Sequence, residues 1–293
     1  MKRRHLIQTL GTALAVGSTL DTFAHDFKKS EAMLPASLKN KINHSACRWC
    51  YNDVPLEDLA IKAKEIGLVA IDLLGPDEWA TVQKHGLTCS MVMYNPKGFG
   101  IPKGFNRIEN HEILIAHYEE LIPKAAAAGL KNVICFSGNR AGLDDESGLV
   151  NCAVGLKKLM PTAEKHKVIL QMELLNSKVD HKDYQCDHTL WGVNLCKAIG
   201  SENFKLLFDI YHMQIMDGDI IRNIRDYHQY FGHYHTGGVP GRNEIDESQE
   251  LYYPSIMNAI VETGYKGYVA QEFIPKQKDK LASLEKCVKI CDV

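Results

Sequence analysis

From about residue 42 to the C-terminus, short apolar runs alternate with segments of helical periodicity, one pair roughly every thirty residues. Few folds accept that pattern. Parallel strands need crossover connections of a dozen or more residues, and a helix in each connection covers the face of the sheet. Strands covered on both faces can be apolar almost throughout, as in Val168–Met172 and Phe204–Phe208. Eight such runs can be placed, at Ile42–Trp49, Leu68–Leu74, Leu87–Tyr94, Asn132–Ser137, Val168–Leu175, Phe204–Tyr211, Gly232–Thr236 and Gly267–Phe273. Helices are predicted between and after them at Leu56–Ile66, Glu109–Ala128, Leu149–His166, Thr189–Ile199, Ile220–Tyr230, Pro254–Thr263 and Lys280–Cys291. Gly67, Gly129, Gly200 and Gly264 each follow a helical run, where glycine relieves the left-handed strain of a helix C-cap. No glycine-rich phosphate turn follows the first run, which disfavours an open doubly wound sheet. The expectation is a single (β/α)8 TIM barrel over residues 42–293, without a second domain, after a polar linker at 26–41.

The first 25 residues read differently. Lys2, Arg3 and Arg4 precede an uncharged run from His5 to Leu20, which is too short to cross a membrane comfortably. That is the shape of an export signal. The paired arginines followed by His5, Leu6, Ile7 and Gln8 resemble a twin-arginine signal, which serves proteins that fold and load a cofactor before crossing. Periplasmic export with cleavage near Ala24 is therefore predicted, leaving no membrane span afterwards. The formal net charge is −2 and no block of five like charges occurs, which argues against a nucleic-acid or membrane-surface partner. Nine cysteines are an odd number and suggest no disulfide framework in a chain long enough to build a large core. Cys47 and Cys50 form the one CxxC, expected at the end of the first strand as free or packed thiols. Cys89 and Cys135 sit in apolar runs and read as core.

Four polar residues interrupt the apolar ends of candidate strands: Glu173, Asp209, His235 and Glu272, at intervals of 36, 26 and 37 residues. Each interval is about one βα unit, so the four should gather at the C-terminal ends of strands five to eight, the end where such barrels keep their active sites. Lone buried carboxylates cost several kcal/mol, and three together repel; a divalent cation removes both penalties. Three oxygen donors and one imidazole suit one Mn²⁺, Mg²⁺ or Co²⁺ ion with open positions better than a closed tetrahedral Zn²⁺. His212, three residues past Asp209, is placed to reach a chelated oxygen, and Arg242, in a Pro-Gly-Arg turn, to pair with a substrate carboxylate or else with Glu244 or Asp246. Asn176 is a candidate for orienting Glu173 or substrate. The long connections Asn95–Ile108 and Pro240–Leu251 are expected to cover the mouth, and Trp49 and Phe99 to wall it.

The stretches Asp209–Gly218, Gly232–His235, Val239–Arg242, Gly264–Gly267 and Gln271–Glu272 resemble the hydroxypyruvate isomerase family of the xylose isomerase-like barrels, most specifically between residues 168 and 275. The resemblance implies a metal-dependent isomerase acting on a small sugar or hydroxy-keto acid. In that role Glu173 and Glu272 bind metal and exchange the proton, His212 holds a substrate oxygen and Arg242 contacts substrate. Two positions keep a ketose 3-epimerase or keto-sugar isomerase open as the alternative. His235 stands where hydroxypyruvate isomerases usually carry Gln, as it does in the epimerases, and Val179 stands where the epimerases tend to place a second Glu. A non-catalytic carbohydrate-binding barrel and a metal-dependent phosphodiesterase are the more distant readings. Barrels of this kind often associate, so a homo-oligomer is an expectation, with no legible interface stripe behind it.

Overall fold

The computed structural model describes residues 38–293. The predicted export signal at 1–25 and most of the predicted linker at 26–41 lie outside the described residues. The end of that linker is docked on the barrel. Lys39 N–H donates to Asp292 Oδ1 at 2.9 Å, and Leu38 packs beside Gly67.

Eight strands alternate with helices: β1 (Asn43–Ala46), β2 (Ala70–Ile71), β3 (Thr88–Cys89), β4 (Asn132–Cys135), β5 (Ile169–Glu173), β6 (Phe204–Asp209), β7 (Phe231–Thr236) and β8 (Tyr268–Gln271). The helices are α1 (Leu56–Glu65), α2 (Trp79–Lys84), α3 (His111–Ala127), α4 (Asp145–His166), α5 (Thr189–Ile199), α6 (Ile210–Met216), α7 (Ile220–Tyr227), α8 (Tyr253–Glu262) and α9 (Lys280–Cys291). Six strands form one parallel ladder in the order β1-β8-β7-β6-β5-β4, and β2 pairs with β3. Parallel bridges at Cys47–Asp72 and Val92–Val133 join the two pieces. There Asp72 N–H donates to Ala46 O at 2.8 Å and Val92 N–H to Asn132 O at 2.9 Å, so the sheet closes as a barrel.

The elements differ from the expected ones in four respects. The strands are shorter than the apolar runs that mark them, because the runs continue into loops packed over the barrel mouth. The short helix α2 was not predicted. The run Phe204–Tyr211, expected to be one strand, switches to helix at Asp209. Its side chain accepts from His212 N–H at 3.0 Å and so acts as the N-cap of α6, which satisfies one of the helix's orphan donors. Likewise Arg48–Tyr51 form a 3₁₀ turn after β1, so the CxxC straddles a turn rather than ending a strand. All nine cysteines are free and buried.

The barrel's outer layer is apolar, but its centre is not. Ser45 Oγ lies 2.6 Å from Ser90 Oγ, and Ser90 donates to Asp72 Oδ1. Asp72 Oδ1 is 3.1 Å from His233 Nε2, and Asp72 Oδ2 is 2.8 Å from His235 Nε2. β2 and β7 are not neighbours in the sheet, so these contacts run across the barrel's interior. Among the described residues no helix is long and apolar enough to cross a membrane.

Candidate metal and substrate site

Glu173 ends β5, Asp209 ends β6, His235 lies within β7, and Glu272 follows the last residue of β8, where its N–H donates to Thr236 O at 3.0 Å. Register makes the gathering inevitable: Asp209 pairs with His235 and Thr236 with Gln271 across adjacent strands. Donor atoms of the four side chains all lie within 4.8 Å of one another, and all four residues are buried. His235 Nδ1 is the hub, at 2.9 Å from Glu272 Oε2, 3.4 Å from Glu173 Oε1 and 4.0 Å from Asp209 Oδ2.

Arg242 reaches into this cluster. Its Nη2 is 2.5 Å from Glu272 Oε2 and 3.5 Å from Asp209 Oδ2. The alternative partners Glu244 and Asp246 are occupied elsewhere. Glu244 Oε1 accepts from the backbones of Lys276 and Gln277 and from Ser283, and Asp246 pairs with Lys286. The guanidinium lies between the rings of Trp49, at 5.1 Å, and Tyr211, at 5.5 Å. Arg242 also adopts φ of +57°, a left-handed conformation that costs a residue bearing a Cβ on the order of 1 kcal/mol. The turn is closed by Arg242 N–H donating to Gly238 O and Gly238 N–H to Asn243 O, both at 2.8 Å, and Gly238 packs so closely that an added Cβ would stand 2.3 Å from the carbonyl oxygen of Glu244.

Charge decides how the cluster behaves. Burial pushes the Glu173 carboxyl up, and burial together with the charge of Glu272 pushes Asp209 well above the usual carboxylate range. Burial acts the same way on Glu272, but Arg242 and His235 outweigh it and hold that carboxyl well below the usual range. His235 is drawn down by burial and raised further by Cys47, Glu272 and Asp72, so it ends well above an ordinary imidazole. Three acids thus compete for one guanidinium and one imidazole, and Asp209 Oδ2 is buried with no hydrogen-bond partner among the described residues. An orphan carboxylate oxygen beside two more acids is what a divalent cation relieves. The oxygen-rich donor set fits a hard ion at this place.

The other predicted residues are close by, in roles that differ in part. Asn176 Oδ1 accepts from the backbone N–H groups of Val179 and Asp180, at 2.9 and 3.0 Å, which fixes its amide so that Nδ2 faces His212 Nδ1 at 2.6 Å. Asn176 therefore orients His212, and not Glu173 as one reading had it. With Nδ1 accepting, the proton of neutral His212 sits on Nε2, a buried atom with no hydrogen-bond partner among the described residues, 3.6 Å from Asp209 Oδ2. Burial and Arg242 hold that imidazole well below its usual range. Trp49 walls the site and donates from Nε1 to Glu272 Oε1 at 2.7 Å. Phe99 does not wall it and sits under Lys103 instead, 4.4 Å from its ammonium; Ile101 of the same connection takes that place.

Asp72 and His181 were missed. Asp72 accepts from His235 Nε2, which leaves Nδ1 free to face the carboxylates; carboxylate support of this kind sets the tautomer and direction of a ligating histidine. The signal was there, since Asp72 interrupts the apolar run Leu68–Leu74 just as Glu173 interrupts its own. Glu173, Glu272, Arg242 and His181 form the polar side of a cleft of about 270 Å³ whose opposite side is Leu73, Met93, Ile101, Phe136 and Leu175.

A family model described as xylose isomerase-like TIM barrel matches residues 63–287. A human protein named "Putative hydroxypyruvate isomerase" is 33% identical over 105 residues, 36% of this chain and 38% of that protein, so the chain spans less than half of that relative's length. The 2-oxo-tetronate isomerase of Pectobacterium atrosepticum is 24% identical over 242 residues, covering 78% of this chain and 90% of the relative. Among solved structures, an AP endonuclease of family 2 from Brucella melitensis superposes with a TM-score of 0.74 at 25% identity, covering 83% of this chain and 97% of that one.

Proposed function

The chain belongs to the xylose isomerase-like TIM barrel family, and from that membership and the site's geometry we propose that it is a metal-dependent isomerase of small hydroxy-keto acids. The interconversion of hydroxypyruvate and tartronate semialdehyde is the reaction it resembles most, with 2-oxo-tetronate as the longer candidate. One observation carries the reading: three carboxylates and an imidazole nitrogen converge on a common point beside a small cleft that Arg242 also enters.

Glu173, Asp209, His235 and Glu272 would hold the cation, of the Mn²⁺, Mg²⁺ or Co²⁺ kind. When bound there, such an ion draws charge from a carbonyl and its neighbouring hydroxyl and so stabilises an enediolate. The protein's own groups supply the rest. Glu173 and Glu272 both border the cleft, one from β5 and one from the end of β8, so either carboxylate can take the carbon-bound proton and return it to the adjacent carbon. His212 presents Nε2–H to a substrate oxygen. Arg242 Nε is buried without a partner among the described residues and is the donor for a substrate carboxylate. The apolar wall keeps water from the enediolate and so limits loss of the proton to solvent.

The test is proton NMR in deuterated water with the Mn²⁺-loaded protein and hydroxypyruvate, tartronate semialdehyde or 2-oxo-tetronate. Interconversion is expected, with any label from solvent entering the product at the original carbonyl carbon. The absence of both interconversion and exchange at any carbon, with any divalent cation, overturns the proposal. A second reading, epimerisation of a keto-sugar, is favoured by His235 completing a Glu-Asp-His-Glu set; the same experiment run with a ketohexose as substrate then gives label with inversion at a single carbon. Export through the arginine-pair segment at 1–25 is part of the proposal and is tested by cell fractionation of the full chain.

A further inference from the structure

His235 faces two clusters, one on each ring nitrogen. Beyond Nδ1 lies the carboxylate quartet. Beyond Nε2 lies a second group: Asp72 Oδ2 at 2.8 Å and Cys47 Sγ at 3.8 Å, with 3.6 Å between that sulfur and that oxygen. These three residues are fully buried, and their donor atoms lie within bonding reach of one point. A tetrahedral ion with sulfur at about 2.3 Å and nitrogen or oxygen at about 2.0 Å has ligand–ligand edges of roughly 3.3 to 3.6 Å; the two sulfur edges, at 3.6 and 3.8 Å, are close to that, and the hydrogen-bonded nitrogen–oxygen edge of 2.8 Å opens by about 0.5 Å when the ion replaces the proton. A second, independent feature points the same way. His233 is fully buried and its Nε2 stands 3.1 Å from Asp72 Oδ1, so a second imidazole shares the charge of that carboxylate and keeps its other oxygen available as an ionised ligand.

We propose that Cys47, Asp72 and His235 form an inner three-residue site for a thiophilic divalent cation of the Zn²⁺ kind, with His233 holding Asp72 from behind. We further propose that its occupation excludes a hard cation from the outer quartet, since both sites need the one imidazole. The chemistry balances. Binding releases the Cys47 thiol proton to solvent, and the thiolate and the Asp72 carboxylate together neutralise the ion within an interior of low dielectric. The imidazole proton leaves Nε2, which becomes the ligand, and Nδ1 carries a proton that it donates to Glu272 Oε2, 2.9 Å away. In that tautomer Nδ1 has no lone pair for the quartet. For a hard ion the reverse holds: Nε2–H donates to Asp72 and Nδ1 ligates. Ligand type sorts the ions, with sulfur and nitrogen inside and three oxygens outside. The exclusion half of the proposal rests on the outer quartet holding a cation; the inner site does not.

Co²⁺ titration of the metal-stripped full chain tests it without reference to turnover. A thiolate-to-cobalt charge-transfer band is expected in the parent and in Cys50→Ser, and its complete loss is expected in Cys47→Ser. Absence of the band, its survival in Cys47→Ser, or its loss in Cys50→Ser instead overturns the inner site. Zinc X-ray absorption on the unsubstituted protein gives the same answer if Cys47→Ser fails to fold: a sulfur scatterer near 2.3 Å supports the site, and a shell of nitrogen and oxygen alone overturns it. Exclusion is read by electron paramagnetic resonance of protein loaded with Mn²⁺. Added Zn²⁺ should free Mn²⁺ from the parent and not from Cys47→Ser. Release that persists in Cys47→Ser, or no release from a parent that shows the sulfur contact, overturns the shared-imidazole half.

Discussion

Replacing Arg242 with Gln separates the two ways in which the site's negative charge can be balanced. Without a cation, the guanidinium is the chief partner of Glu272, 2.5 Å away, and also faces Asp209 at 3.5 Å, with only 13% of its side chain exposed. Removing one member of a buried pair costs about 3–5 kcal/mol, because the remaining charge loses its partner. The lower end applies here. Glu173 and Asp209 are already pushed toward their protonated forms, and Glu272 can follow them once Arg242 is gone. A loss of about 3 kcal/mol lowers the melting temperature of a domain this size by roughly 6–12 °C. Gln keeps the left-handed backbone strain of the position, so the comparison is not confounded by relief at φ +57°. With saturating Mn²⁺ the carboxylates have a divalent partner, and the loss should shrink to about 1 kcal/mol, the stacking of the guanidinium between Trp49 and Tyr211. Differential scanning fluorimetry at pH 7, with and without Mn²⁺, measures both. An equal loss in the two conditions would refute the argument that Arg242 and a cation share one electrostatic task.

Other outcomes follow from the same geometry. Glu173→Gln and Glu272→Gln should each lower turnover by about 10²–10⁴ in steady-state assays, with far-UV circular dichroism unchanged; a variant with parental turnover would remove that residue from proton transfer. Asp72→Asn should weaken Mn²⁺ binding by about 10–100-fold in calorimetry, because His235 loses the carboxylate that holds its Nε2–H; unchanged affinity would show that packing alone orients the ring. His44 is buried, and burial lowers its imidazole to about 4 against a weak opposing pull from Asp292. As pH falls below about 6.5 the unfolded chain takes up this proton and the folded one does not, so stability is full above that pH and declines by about 3 kcal/mol on reaching pH 4. Urea denaturation of the parent and His44→Gln at pH 7 and pH 4.5 should show that component vanish in the variant; equal pH dependence in both would assign it elsewhere.

The period of the fold was readable because each βα unit repeats one physical solution, an apolar strand under an amphipathic helix. Lys280–Cys291 and Thr189–Ile199 match the expected helices residue for residue, and both carry clear end signals: Asp279 accepts from Ala282 N–H, and Gly200 takes φ +72°. Strand ends were not readable. β2 and β3 contribute only two ladder residues each, while the apolar runs around them continue into loops that cover the mouth, and apolar content cannot tell a ladder from a buried loop. α6 was hidden for a related reason. Ile210, Tyr211, His212 and Met213 are buried like the strand before them, and only the side chain of Asp209, turned back to cap His212 N–H, marks the change of element.

Within the site, the four residues that converge are those that break an apolar run at the same phase of successive units, and that rule needs no knowledge of what lies opposite. Asp72 obeys it too, yet its meaning depends on partners from the other side of the barrel. An acid on β2 is 163 residues from His235, and no spacing links them. Once the barrel closes, that acid cannot remain merely structural. Buried among Cys47, His233 and His235, it is held ionised well below the usual carboxylate range, burial notwithstanding, because two imidazoles share its charge. An ionised Asp72 in turn dictates which nitrogen of His235 carries a proton, and hence whether the quartet above has its fourth ligand. Control of the outer site therefore lies one layer below it, in contacts that only the closed sheet creates.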